Sequence, residues 1–330
     1  MSNLLGENIN LGLGVETTRG TEATISDWVP ARTPAGINVI VDKTPIKETR
    51  GTRFSSTGFE TTHKRAEGEL EFNVRNRTIG YILKSLLGSV SSALKSGETA
   101  VYEHIFTVLS ASPSNPSLTV GISRPGFTDY KYLLSLVSAL ELRTPMDDLV
   151  NATATFLASD EAEKSPSYTP AFTDEDTYFR NHDLRVKIAS NVAGLSSADA
   201  ICIKDLKLKI SNNAKPQMCV ASISPIDILG MTYEIEGTLK VDYTAKDNHD
   251  RYVNSTVFAM EISMENTSKT IGSASHPKIL ITLPNVSIKT YKEDRPIDDI
   301  VSEELGISCH YSLSDNSAIT VKVINEKATY

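Results

Sequence analysis

Two places in this 330-residue chain set acidic side chains side by side after a proline: Pro145-Met146-Asp147-Asp148 and Pro296-Ile297-Asp298-Asp299. Paired carboxylates can hold a divalent cation or share general acid and base work. Both uses need the two groups to converge. Adjacent residues in an extended chain point to opposite faces, so a turn that caps the next element is the favoured reading. Asp247-Asn248-His249-Asp250 offers oxygen and imidazole ligands, but the same residues make an ordinary helix N-terminus, and the cap is favoured. The six histidines, His63, His104, His182, His249, His276 and His310, are scattered without metal-pair spacing. Three cysteines, Cys202, Cys219 and Cys309, are odd in number and lack a CxxC pair; they read as small apolar residues in strands. Gly-x-Gly-x-x-Gly, a phosphate loop and a Gly-x-Ser-x-Gly elbow are all missing. The expectation is no enzyme, no cofactor and no metal.

The elements that carry these residues occur twice. Glu67-Gly68-Glu69-Leu70-Glu71-Phe72-Asn73-Val74 is echoed by Glu236-Gly237-Thr238-Leu239-Lys240-Val241-Asp242-Tyr243. Each is a Glu-Gly pair followed by strict polar/apolar alternation. Alternation of period two puts Leu70, Phe72 and Val74 on one strand face and the charges on the other. A strand with one wet and one dry face belongs to an antiparallel sheet, sandwich or barrel. The two Pro-x-Asp-Asp turns form the second echo. Each follows an apolar strand, 133–142 or 279–288, and precedes an alternating one, 151–157 or 303–311. Repetition in fixed order marks an internal repeat. The predicted fold is therefore mainly β, two similar barrel or sandwich domains by internal duplication, each with a short packed helix. The first helix is predicted over 78–87, where Ile79, Ile82, Leu83, Leu86 and Leu87 form one stripe and Gly88 ends it. The second, over 247–256, is weakened by Val253, Thr256 and their neighbours. Domain boundaries are expected at 1–165, including a polar, Gly-rich N-terminal arm over 1–14, and 166–330. The acidic, Pro-bearing stretch 158–176 reads as the linker, and Ser-rich 89–99 as a loop.

Composition limits the function. Hydrophobic residues make up 40% and charged residues 22%, which suits a folded globular chain. The net charge of -8 argues against tight wrapping on nucleic acid, though not against letting it pass. No apolar run approaches the roughly 20 residues of a membrane span, and no secretory signal opens the chain, so synthesis in a reducing host cytoplasm is expected.

Gly14-Val15-Glu16-Thr17-Thr18-Arg19-Gly20-Thr21-Glu22-Ala23-Thr24, leading to Trp28-Val29-Pro30, resembles the opening of the major tail tube proteins of long-tailed, siphovirus-like bacteriophages. The likeness continues through Glu67 to Phe72 and the following helix, about the first 90 residues; beyond that only the pattern matches. The resemblance implies a structural virion protein of the phage tail, self-assembling into rings that stack into a hollow conduit for DNA ejection. Implied partners are a tail terminator, a tape measure and baseplate or tail-tip proteins, with double-stranded DNA passing without specific binding. Two tube units per chain would favour a trimeric ring of pseudo-sixfold symmetry over a hexamer. The alternative reading is a two-domain β-sandwich binding module that recognises a receptor or carbohydrate on a virion or cell surface. Under the tube reading the long basic loop 44–65 is a long hairpin and the candidate inter-ring or inter-subunit contact, with Lys47, Arg50, Arg53, Phe54, Lys64 and Arg65 as its contact residues.

Overall fold

The computed structural model describes residues 3–33 and 36–330. The first half runs β1 Asn10–Val15, β2 Asp27–Val29, β3 Asn38–Pro45, β4 Phe59–Asn73, α1 Ile79–Leu87, β5 Gly88–Leu94, β6 Tyr102–Val108, β7 Leu118–Ser123, β8 Asp129–Thr144, β9 Asn151–Ala158 and β10 Glu161–Lys164. The second half runs β11 Leu184–Ala189, β12 Ala200–Ile201, β13 Ile203–Ser211, β14 Lys215–Gln217, β15 Asp227–Leu229, β16 Glu234–Asp242, α2 Asp247–Val253, β17 Phe258–Glu265, β18 Lys278–Asp294, β19 Ser302–Cys309 and β20 Thr320–Asn325. All strands but β14 and β15 join one system of 18 strands, and every pairing in it is antiparallel. The mainly β, sandwich-type architecture follows from the alternation: Leu70 and Phe72 are fully buried while Glu69 is exposed.

The pairings of the first half recur in the second. β1 lies between β2 and β7, as β11 lies between β12 and β17. β4 lies between β3 and β9, as β16 lies between β13 and β19. β8 bonds β7, β9 and β10, as β18 bonds β17, β19 and β20. Irregularities fall at the same places: Leu118/Val120 answers Phe258/Met260, and Val137/Ala139 answers Ile288/Thr290. Gly68 and Gly237 of the repeated motif face Phe156 and Ile307 respectively.

Each long strand serves two layers. The N-terminal part of β8 bonds β7 and β10, and its C-terminal part bonds β9 and β13. The change of partner occurs at a bulge, where Leu134 takes a positive φ of 53°. The Leu134 amide donates 3.0 Å to the carboxylate of Glu16, a group that is 5% exposed. Glu16 also accepts from Gly20 N at 2.7 Å, Ser117 Oγ at 2.5 Å and Thr119 Oγ1 at 3.1 Å. The Gly-Glu-Thr run thus works as an internal clamp: one buried carboxylate fixes its own loop, β7 and the bend of β8.

Several expectations need correction. Residues 10–14 are not an arm: β1 bonds β2 and β7, with Leu11 and Leu13 buried. Gly12 and Gly14 are there because the backbone passes against Ile25, Trp28 and Thr24, leaving no room for a Cβ. The 158–176 stretch is not a free linker. It contains β10, Tyr168 stacks edge-on to Trp28 at 5.6 Å, and buried Asp176 accepts from the amides of Arg77 and Thr78 at 2.9 and 3.2 Å. Of the Ser-rich stretch 89–99, residues 89–94 belong to strand β5, paired along its length with β6, and 95–99 form a turn; the outer residues of β5 are exposed, so alternation is lost. Of the cysteines only Cys309 sits in a strand; Cys202 and Cys219 are exposed. α1 matches the expected helix to one residue and ends at left-handed Gly88, whereas α2 stops at Val253 and buries no residue.

Replacing Glu16 with Leu strands three buried donors, Leu134 N, Ser117 Oγ and Thr119 Oγ1. Unmet buried donors to a charged group cost a few kcal/mol, so a loss of about 3 kcal/mol in urea-unfolding stability is expected, with Glu16→Gln recovering part of it.

Candidate assembly surfaces

The two halves are joined by a backbone ladder. β13 lies along the C-terminal part of β8 from Ser211–Ala139 to Leu206–Thr144. Eight strands therefore form one run in the order β3, β4, β9, β8, β13, β16, β19, β18. Its dry face carries Leu70, Ala154, Leu140, Ile210 and Leu239, all buried in a core cluster shared by both halves. Its wet face carries the cross-strand row Glu71, Thr153, Glu141, Lys209, Glu236 and Ser308. Lys207 Nζ lies 3.1 Å from Glu141 on that face.

Side chains and loops reinforce the ladder. Arg19 reaches from the Glu16 clamp into the second half, donating to the Asp227 carboxylate at 3.1 Å and the Ile228 carbonyl at 2.6 Å. Asn212 donates to Val137 O at 2.9 Å, and Tyr233 to Leu86 O at 2.8 Å, at the end of α1. The β5–β6 hairpin of the first half bonds β20 of the second. Tyr330 lies on Gly80 of α1 and donates 2.8 Å to Arg77 O. Pro145 and Met146 border a cavity of about 400 Å³ whose other walls include Asn181, His182, Leu184 and Arg185, and residues 200–204.

The run of eight strands ends in two open edges. Among the described residues β3 bonds only β4, and residues 287–294 of β18 bond only β19. Near the β18 edge Ile297 is 99% and Ile300 61% exposed. Near the β3 edge lies a cavity of about 390 Å³ walled by Gly6, Glu7, Ile9 and Asn10, by residues 29–33, and by Phe172.

The six expected contact residues are not all in one place. The basic stretch is a long hairpin, as its functional reading expects: β3 and β4 pair from Pro45–Phe59 inward, and only 46–58 is irregular. Lys64 and Arg65 lie on β4, outside this tip. Arg65 pairs with Asp42 at 2.9 Å, and the Lys64 amide donates 2.7 Å to Ile223 O of the second half. Arg50 bonds Glu48 beside it at 2.9 Å. Lys47, Arg53 and Phe54 remain exposed at the tip, with Phe54 at 83% and nearby Phe59 at 66%. Sequence reasoning missed the two open edges, because an unpaired strand alternates as a paired one does.

The acidic pairs sit in turns. Asp148 accepts from the Leu149 amide at 2.7 Å and pairs with Arg32 at 2.7 Å; the amide bond and then Arg32 hold it below the usual carboxylate range. Asp299 likewise accepts from Ile300 N at 2.7 Å. Asp247 and Asp250 lie in the first turn of α2, but its cap is Lys246 and no side chain closes the first turn. Among the described residues no cluster of three or more His, Cys, Asp or Glu is arranged to hold a metal ion.

Glu98 ties the halves in a pH-dependent way. Its carboxylate accepts from the amides of Ser273 at 2.7 Å and Ala274 at 3.2 Å and from Ser275 Oγ at 2.6 Å. The Ser273 amide, then the Ser275 hydroxyl, pull it from an ordinary value of 4.5 to about 2. A depressed carboxylate stabilises the fold fully above the unfolded value and loses that contribution as pH falls toward the folded one. Protection of the Ser273 and Ala274 amides, measured against the intrinsic exchange rate at each pH, is therefore expected to fall between pH 4.5 and 2, and to be low already at neutral pH in Glu98→Ala.

A search against curated proteins returns no match. The family model described as phage tail tube protein matches residues 6–305, from the turn before β1 to the middle of β19. That span covers the first half and the second half as far as β19, including seven strands of the run in full and the first residues of the eighth. The chain belongs to the phage tail tube protein family and is a structural subunit of a tail tube.

Proposed function

We propose that this chain carries two tube units by internal duplication, that three chains close a ring of pseudo-sixfold symmetry, and that such rings stack into the conduit through which a long-tailed phage ejects its DNA. The repeated pairing order, with bulges at matching places, is the observation that carries this reading. Each half supplies four strands to the run of eight, so three chains supply twenty-four. At about 4.8 Å between strands and a tilt of about 40°, a closed barrel of that size has a backbone radius of roughly 24 Å, wide enough for a double helix. Closure also removes both open edges.

The solvent-facing side of the run suits a lumen. Glu67, Glu69, Glu71, Glu141, Asp205, Glu234, Glu236, Asp294 and Glu304 modestly outnumber Arg65, Arg143, Lys207, Lys209, Lys240, Lys289 and Lys292 there. A surface of mixed charge with an acidic excess repels phosphates, so DNA slides without sticking. Stacking falls to the 46–58 tip: Phe54 supplies apolar area, and Lys47 and Arg53 supply cations to a neighbour that is itself acidic. Terminator, tape-measure and tail-tip proteins would meet the two ends of the stack.

Native mass measurement of isolated rings is expected to give three times 36.0 kDa. Six copies per ring would reject the duplicated-unit count and leave the tube itself standing. A Lys47→Glu/Arg53→Glu/Phe54→Ser chain is expected to form rings but to yield tubes at least several-fold shorter in electron micrographs; tubes of normal length would remove the stacking role of the tip.

A further inference from the structure

The junction between the halves also specifies, residue by residue, a second junction that a single chain cannot make. The shared register supplies the correspondence. Leu13 faces Val120 as Ile188 faces Met260, and Leu11 faces Val29 as Val186 faces Ile201. Asn38 faces Glu67 as Lys209 faces Glu236, and Leu140 faces Ala154 as Tyr291 faces Leu305.

These equivalences were fixed by strand pairing alone, yet they map one cavity wall onto the other. Asn181, His182, Leu184 and Arg185 beside Met146 become Gly6, Glu7, Ile9 and Asn10. Residues 201–204 become 29–32, which also line the second cavity. Even the short 3-10 turns coincide, Asn181–Asp183 with Gly6–Asn8. In the first cavity the Met146 segment forms part of the wall, and its carbonyl accepts from the Asn181 side chain. Among the described residues the second cavity has no counterpart of that segment; its remaining wall is the half-exposed Phe172. The residues that correspond to Pro145 and Met146 are Pro296 and Ile297, and Ile297 is 99% exposed.

We propose that this socket, formed by residues 6–10 and 29–32, receives Pro296 and Ile297 of a second copy of the chain. At the same time β18 of that copy extends β3, with Thr290 opposite Ile40, Tyr291 opposite Val39 and Lys292 opposite Asn38. This rests on the ring reading and deepens it by naming the contact that closes the ring. The occupant is a copy of this chain because the internal junction already shows how this edge, turn and socket fit together. Burial agrees: Leu140 and Ile210 of the occupied junction are fully buried, while their counterparts Tyr291 and Val39 are only half-buried. The contact is heterologous, one patch meeting a different patch, and such contacts close by rotation into a ring.

The test uses the full chain with Cys202, Cys219 and Cys309 changed to Ser. Asn38→Cys with Lys292→Cys is expected to cross-link on oxidation of assembled rings, giving a covalent ladder that ends at the ring's copy number. Asn38→Cys with Ser287→Cys, out of register, is expected to give none. Ile297→Asp, at a side chain exposed in the monomer, is expected to unfold at the wild-type temperature and to lose assembly at least tenfold. Rings that form with Ile297→Asp, or that cross-link out of register and not in register, overturn the proposed contact while leaving the tube reading intact. A wild-type chain that forms neither rings nor tubes overturns both.

Discussion

A strand bonded on one side only exposes a row of amides and carbonyls that must find partners in water or in another strand. Within the run of eight strands this chain meets that constraint where β13 covers the C-terminal part of β8, and among the described residues leaves it unmet at β3 and at the equivalent part of β18. The other features around the join serve to hold the strands at the angle this ladder needs. The Glu16 clamp fixes the bend in β8 just before the ladder begins, and Arg19 from the same loop anchors the second half. The β5–β6 hairpin and Tyr330 cross in opposite directions between the halves, so neither half swings freely about the junction.

Much of this was legible in the sequence where side-chain chemistry has a period. The Glu-Gly strands alternate cleanly because each has one dry face, and the helix stripe with its terminal Gly88 reads directly as α1. What was not legible has physical causes. Gly12 and Gly14 look like flexibility, although their role is close packing against β2 and the loop before it. β5 has seven residues whose outer members face solvent on both sides, so no alternation survives. Residues 158–176 carry prolines and acids typical of a linker, but they hold strand β10, and Asp176 is buried, accepting from the Arg77 and Thr78 amides. The candidate contact residues were partly recognisable. Charge and length pointed to the hairpin, while the local pairing that separates Arg65 and Lys64 from its tip depends on strand register.

The halves are alike in topology and unlike in detail. α1 is packed under the Tyr330 segment and the β5–β6 hairpin, whereas α2 is a short exposed helix stacked on Tyr291 through Tyr252. The hairpin between β3 and β4 is long and basic, while its counterpart between β13 and β16 folds back onto the first half through Asn212 and Tyr233. One unit therefore keeps its loop for its own chain, and the other offers its loop outward. In the proposed ring, alternation of the two halves would leave threefold symmetry, with charged and apolar tips at every second position.

The central claim is that the junction between chains repeats the junction within the chain. Cryo-electron microscopy of the assembled tube at a resolution that separates strands tests it most directly. The account predicts unbroken sheet density passing from β18 into β3 of the next chain, with Lys292 opposite Asn38 and Ile297 seated beside Ile9. A gap between those strands, or β3 paired with any strand other than β18, would contradict it.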